Sequence, residues 1–525
     1  MAAKGREHLA RMDLLESHGH RLDLLEIQVC VSQIGPDNQT VLQTLLADMV
    51  RVGQAVLKQH DETAPSGIML GQLIRTARTA GLEITDEAER VFAELSRWAG
   101  GNLQAMIEAT SMAVPNVDQL ARLTELIPAA RYAEDVGYDM NVVANIAMRI
   151  LTDDEVLARP EDVSFILEVG TDWGTALPNW DERAAPPPVP GKMEPAAIAR
   201  ALSAYQVAIL QLGLDADGLL VRAECLGGVN RPATREPVEL FSRQALYDWS
   251  REFPRRYGHD DSPNLFYTTT ERLQLSAAPE VPTIVLATTE LQSFPPNILF
   301  DGREFLGRRQ PVATAPSLAW LKGSVERNWT GDGRMVAWIS NAESESGRAT
   351  LSLLSQRLEA PFAEYGFAVN TSAAIPATFS GATMTVLTAH GGVHPEGKYF
   401  QAISDEGVLI VSAADLAAAV RNVGVVVLFV CSGGRADKHP GANTTLGLAK
   451  QILDRGCSAV IASPWPLDSQ VPPHWLPGFL ESWKHGATLM EAVYAANKIV
   501  DTRFALDPAC GLAMTVYGNP LLKQS

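Results

Sequence analysis

The sequence predicts an α/β protein: an open, largely parallel sheet with helices on both faces, preceded by an α-helical N-terminal domain. Three observations carry this. Apolar residues recur at helical spacing through the first part of the chain. After a Pro-rich break near residue 190, short apolar runs alternate with helical stretches, as consecutive β and α units do. One of those runs, 423–430, is apolar at nearly every position, as a central parallel strand covered on both faces must be.

In chain order, helical spacing covers 40–57, 68–80, 87–98 and 117–127, with Gly100-Gly101 and Pro115 as punctuation. No internal repeat is visible, and in particular no 34-residue tetratricopeptide pattern. The stretch Ala184-Ala185-Pro186-Pro187-Pro188-Val189-Pro190-Gly191 cannot continue a helix and reads as a stiff linker. Beyond it, 283–287 and 335–339 read as strands, 349–362 as a helix and 384–389 as a strand. Residues 399–403 and 408–411 form a predicted hairpin around Asp405-Glu406-Gly407. Ser412 is placed to cap a helix reaching about Val420, with Asp415 where a capping box carries Glu. The strand 423–430 follows, then a helix over 446–453 and, through Gly456, the strand 459–462.

Composition narrows the function classes. A chain of 525 residues implies two or three domains. With 46% hydrophobic and 20% charged residues it is globular, which excludes a disordered chain. The longest apolar run, 423–431, is too short to cross a bilayer, and residues 1–8 hold no apolar signal-peptide core, so no membrane partner and a cytoplasmic location are expected. A net charge of −18 opposes general nucleic-acid binding. Cys30, Cys225, Cys431, Cys457 and Cys510 are widely spaced, with no Cys-x-x-Cys pair, and their odd number speaks for free thiols. No zinc pattern or carboxylate-rich calcium loop stands out, so no metal or cofactor is expected.

Two predicted strands end in reactive side chains. Run 384–389 leads into His390-Gly391-Gly392, and run 423–430 into Cys431-Ser432-Gly433-Gly434. Active sites of open α/β sheets gather at the carboxyl ends of strands. If these strands are parallel neighbours, both side chains share one sheet edge, and the hairpin and helix between them supply the crossover. A free thiol is mostly protonated at neutral pH, so a nearby imidazole is needed to take its proton and return it to a leaving amine. The backbone amides of Gly391 and Cys431 then suit an oxyanion hole, and Gly433 and Gly434 leave room for a peptide backbone.

Thr388-Ala389-His390-Gly391-Gly392 and Leu428-Phe429-Val430-Cys431-Ser432-Gly433-Gly434 resemble the His-Gly and Cys-Ser motifs of CHAT-domain peptidases, of the caspase, gingipain and separase group. The resemblance extends to Phe294-Pro295-Pro296-Asn297-Ile298-Leu299, to Ala315-Pro316-Ser317, to 459–468 and to Tyr517-Gly518-Asn519-Pro520, and so covers about 200–522. Gly433-Gly434 departs from the Ser-Thr-Gly that often follows the cysteine. The resemblance implies a caspase-like α/β sheet sandwich, with a degenerate half over 195–325 and an active half over 326–525. A helical regulatory or interaction domain over 1–185 and a linker over 186–194 precede it.

It also implies a regulated cysteine endopeptidase acting on a protein substrate, with His390 and Cys431 as its dyad, an activating protein or ligand at the N-terminal domain, and a role in bacterial or antiviral immunity. In this group an acidic residue often selects Arg or Lys before the cut; Asp468, Glu343 and Glu345 are the candidates here. Trp465 either walls a substrate groove or packs under a loop. His394 and His439 read as loop residues, and Cys457 and Cys510 as structural. Two alternatives remain: a catalytically silent scaffold of the same fold, and a cysteine amidohydrolase acting on a small substrate.

Overall fold

Apolar residues three and four apart put one face of each N-terminal helix into a common core. The helices Gln39–Gln59 (α1), Thr63–Thr79 (α2) and Asp86–Ala99 (α3) bury Leu42, Met49 and Val56, then Leu70, Leu73 and Ile74, then Val91 and Leu95 in one cluster. Gly53 allows α1 and α3 to cross closely, since a side chain there would meet Val91 and Leu95. The helix Val136–Ile150 (α4) is the next full helix among the described residues.

The computed structural model describes residues 39–59, 63–99, 136–172, 174–179, 191, 194–256, 272–340, 345–376, 379–393, 401–405, 408–439, 442–505 and 507–524, with isolated positions at 23–24, 27, 120, 123–124, 127 and 267. Most of the helix expected over 117–127, most of the Pro-rich linker and the hairpin tip Glu406-Gly407 lie outside these residues. The chain divides into two compact units, Met1–Asp153 with Pro440–Ala442, and Asp154–His439 with Asn443–Ser525. The division falls ahead of the linker rather than at 185, and burial explains why. Helix Pro160–Val169 (α5) buries every residue from Asp162 to Val169, and its Ser164 and the sheet residue Gln211 hydrogen-bond each other.

The second unit is built on one mixed sheet of twelve strands. Its first group is Ala208–Leu214 (β1), Leu220–Leu226 (β2), Val229–Asn230 (β3), Thr234–Arg235 (β4), Thr283–Ala287 (β5) and Val312–Thr314 (β6). The second group begins with Met335–Ser340 (β7), Ala368–Ser372 (β8) and Met384–Thr388 (β9). Gly392–Val393 (β10), Gln401–Asp405 (β11) and Val408–Ser412 (β12) form a separate small sheet. Then come Val425–Phe429 (β13), the two-stranded hairpin of Asp437–Lys438 (β14) and Thr445–Leu446 (β15), Ala459–Ala462 (β16) and Thr515–Gly518 (β17).

The order across the sheet is β3-β2-β1-β5-β6-β17-β16-β13-β9-β7-β8, with β4 on β2. Two parallel blocks result. β1, β5, β6 and β17 run one way; β16, β13, β9, β7 and β8 run the other, and the antiparallel β17–β16 pair joins them.

Each predicted strand and helix that falls on described residues of this unit forms. Ser412 caps the helix Ala413–Ala419, accepting from the Asp415 amide at 3.1 Å. Five principal strands are not legible in the sequence: β1, β2, β6, β17 and the edge strand β8, whose exposed and half-buried residues leave no apolar run. Gln211 and Gly213 interrupt the apolar run of β1, Arg222 and Glu224 that of β2, and β6 and β17 are too short for a period to show. The central strand β13 is buried at every position. An aromatic row on the helix Val471–Lys484 covers its last residue: Trp475 meets Phe429 edge-on at 6.0 Å and stacks on Phe479 at 4.8 Å. That packing fixes the strand end from which the site is built.

Candidate active site

β9 and β13 are parallel neighbours with Thr388 opposite Phe429. His390 and Cys431 each lie two residues beyond that last pair, so they leave the same sheet edge at matching positions about one strand spacing apart. Both are half-buried. Cys431 is the most accessible of the described cysteines; Cys225, Cys457 and Cys510 are buried.

Gly391 is required by close approach. A side chain there would overlap Val430 and stand 2.5 Å from the Cys431 carbonyl oxygen and 3.1 Å from its amide nitrogen. The His strand end therefore lies directly on the Cys431 backbone. Burial pushes the Cys431 thiol above its ordinary range, and backbone hydrogen bonding at Leu467 and, after it, at Gly391 and Cys431 itself opposes that. Gly391 and Cys431 carry the two amides named for an oxyanion hole. A thiol raised in this way stays neutral near pH 7 and needs a base to ionise it.

The turn after Cys431 is held by the loop after β16. Ser432 takes a left-handed conformation (φ 56°), and its amide donates to the Trp465 carbonyl at 3.0 Å. The Gly434 amide donates to the Ser463 carbonyl at 2.8 Å, and the Cys431 Sγ faces the Leu467 carbonyl at 3.9 Å. The hydroxyl of the buried Ser463 in turn donates to the Trp465 carbonyl at 2.8 Å. Nothing in a serine after a short strand announces this role, which depends on the fold bringing 463–467 against 431–434.

One expectation changes, one open alternative is decided, and His439 stays a loop residue. Gly433 and Gly434 do not open space for a substrate: a side chain at 434 would meet the Tyr517 ring and hydroxyl at 2.7–3.0 Å, and one at 433 would crowd Leu428. Their small size serves packing inside the protein. Trp465 is buried, and its indole donates to the Ala509 carbonyl at 3.2 Å, so the ring packs under the loop while only its carbonyl serves the turn. His439 sits in the β14–β15 hairpin, its amide bonded to the Thr444 carbonyl.

Among the acidic candidates, Asp468 is exposed, follows the Leu467 that faces Cys431, and accepts from the Gln470 amide at 2.8 Å. Glu343 and His394 lie outside the described residues. Glu345 begins the helix Glu345–Glu364, and only its backbone is described. Among the described residues no cluster of His, Cys, Asp or Glu could hold a metal ion, and no helix is long and apolar enough to cross a membrane.

Residues 262–500 match the family model of the CHAT domain. The match includes β5 to β16 and both His390 and Cys431. Two structures of the Saccharomyces cerevisiae separase–securin complex resemble the chain at 10% identity, with TM-scores of 0.41 and 0.44 over 91% and 97% of this chain. The chain spans 38% and 56% of those separase chains. The Arg-specific cysteine proteinase gingipain R resembles it at 12% identity and a TM-score of 0.29, over 52% of this chain and 67% of that one. No curated protein sequence matches.

Proposed function

We propose that the protein is a cysteine endopeptidase in which Cys431 attacks the scissile carbonyl and His390 moves the proton. The observation that carries this reading is the β9–β13 register, which brings both side chains to one sheet edge with Gly391 packed on the Cys431 backbone. As a peptide carbonyl arrives, His390 accepts the thiol proton and the sulfur attacks. The oxyanion is received by the backbone amides of Gly391 and Cys431. His390 then returns the proton to the leaving amine, and water hydrolyses the thioester.

The unit 1–153 is read as the regulatory or interaction part, where a partner or ligand shifts the catalytic unit between inactive and active states. Asp468 is read as the selector of a basic residue before the cut, because it follows the residue facing Cys431 and is exposed.

The test is labelling of Cys431 by a thiol-reactive peptide, followed by mass spectrometry, alongside cleavage of a peptide library. Labelling at Cys431 that needs His390, with cleavage lost in Cys431→Ala, supports the reading. Persistent cleavage by pure Cys431→Ala protein rejects it. Labelling without cleavage of any peptide points instead to the scaffold or small-amide alternatives.

A further inference from the structure

The chain leaving Cys431 is tied at successive points. The Ser432 and Gly434 amides are bonded to the loop after β16, and the Arg435 amide returns to the Ser432 carbonyl at 3.1 Å. The Arg435 guanidinium clasps Asp437 of β14 with two bonds, at 2.9 and 3.0 Å. Beyond the hairpin turn, Asn443 and Thr444 precede β15, and here the hairpin meets a segment from far upstream.

That segment is 168–172, directly after α5. The Asn443 amide donates to the Thr171 carbonyl at 2.9 Å and to the Val169 carbonyl at 3.4 Å, while its oxygen accepts from Thr289 at 2.9 Å. Asp172 is almost fully buried, and its Oδ2 accepts from the Thr444 hydroxyl at 2.8 Å and the Thr445 amide at 3.4 Å, with Lys450 Nζ at 3.5 Å. The segment is itself anchored. The Asp172 amide donates to the Pro316 carbonyl at 3.2 Å, and Glu168 accepts from the amides of Leu318 and Ala319 at 2.9 and 3.0 Å. A buried carboxylate is retained only where donors satisfy it, and most of those donors belong to the hairpin side of the contact.

We propose that residues 168–172 are a strap in cis that positions the nucleophile turn through the β14–β15 hairpin, with Asp172 as the positioning residue. This rests on the dyad reading above. The strap lies ahead of the Pro-rich linker, so the minimal peptidase begins near residue 154 and not after the linker. A truncation of 1–185 removes the strap together with the N-terminal unit, and loss of activity in it carries no information about regulation.

The experiment is a double-mutant cycle on the full-length chain. Alkylation of Cys431 by iodoacetamide is followed by mass spectrometry of its peptide across pH, in wild type, His390→Ala, Asp172→Asn and the double variant. In wild type, His390→Ala is expected to slow alkylation about tenfold or more near pH 7. In the Asp172→Asn background the same change should have little further effect, because the turn no longer presents the sulfur to the imidazole. Thr444→Val, which removes the hydroxyl on the hairpin side, should behave likewise in the same cycle and decides the matter if Asp172→Asn does not fold. Equal slowing by His390→Ala with and without the Asp172 or Thr444 change, whatever happens to the melting temperature, overturns the strap and leaves the dyad. No effect of His390→Ala in wild type overturns the dyad, and the strap with it.

Discussion

The two parallel blocks of the sheet are built alike and used differently. In both, short buried strands run parallel and end at one edge. In the second block that edge carries His390 and Cys431. In the first block, β5 and β6 end in Thr288-Thr289 and Ala315-Pro316, and the strap closes the edge: Thr289 donates its amide to the Gly170 carbonyl, and Pro316 accepts from Asp172. A sheet edge is therefore a place for chemistry only where the strand ends carry reactive groups and no other segment takes their backbone partners. The first edge instead anchors the segment 168–172, which reaches the hairpin that follows Cys431.

The largest expected effect breaks the comparison outright. Cys431→Ala and His390→Ala should each lower cleavage by about a thousandfold or more, with the fold unchanged by circular dichroism, because a nucleophile and its base act as one unit. Wild-type turnover in either would make the two edges equivalent. Gly391→Ala should come next. The added methyl meets the Cys431 backbone, and the displacement should cost about a hundredfold in turnover, read as a fall in kcat/KM with Cys431 still titratable by thiol reagents.

A first-block variant should behave in the opposite way. Asn297 donates to the Leu512 and Met514 carbonyls and the Thr515 hydroxyl, fastening the segment after β5 to the start of β17 within the first block. Asn297→Ala should cost about 2 kcal/mol of stability in denaturant unfolding and leave the Cys431 alkylation rate unchanged. A large change in that rate would mean the blocks are coupled more tightly than the strap alone implies.

A smaller effect concerns pH. Burial pushes Glu168 up from its ordinary 4.5 to about 7, against the pull of its two amide donors. A folded-state value above the unfolded one means that the folded protein holds more protons between those limits. Stability should therefore fall as pH rises from about 4.5 to 7 and level off above, by a total of about 3 kcal/mol. Glu168→Gln should flatten that slope in melting curves taken at pH 5, 6 and 7; an unchanged slope assigns the effect to another group. Smallest is Asp468→Asn, expected to reduce turnover of peptides with Arg or Lys before the cut about tenfold relative to Leu peptides. A uniform change across the library would reassign the pocket.

The sequence by itself determined the elements that come from short-range pattern. The amphipathic helices α1 to α3, the buried strands β5, β9, β13 and β16 and the Ser412 cap follow from residue spacing, because burial on one face or two leaves a period in the chain. His390 and Cys431 stand out for an equally local reason, each a chemically reactive residue at the end of an apolar run with glycine one or two positions on. The tertiary structure alone decided the rest. It assigned Trp465 to the core, spent Gly433 and Gly434 on packing, moved the unit boundary to 153/154 and brought Ser463 and Asp172 to the cysteine turn and its hairpin. Each of these depends on contacts between residues far apart in the chain, with 272 positions separating Asp172 from Thr444. A carboxylate or hydroxyl shows the same chemistry in sequence whether it ends up solvated or buried on a distant amide; only the packed chain settles which.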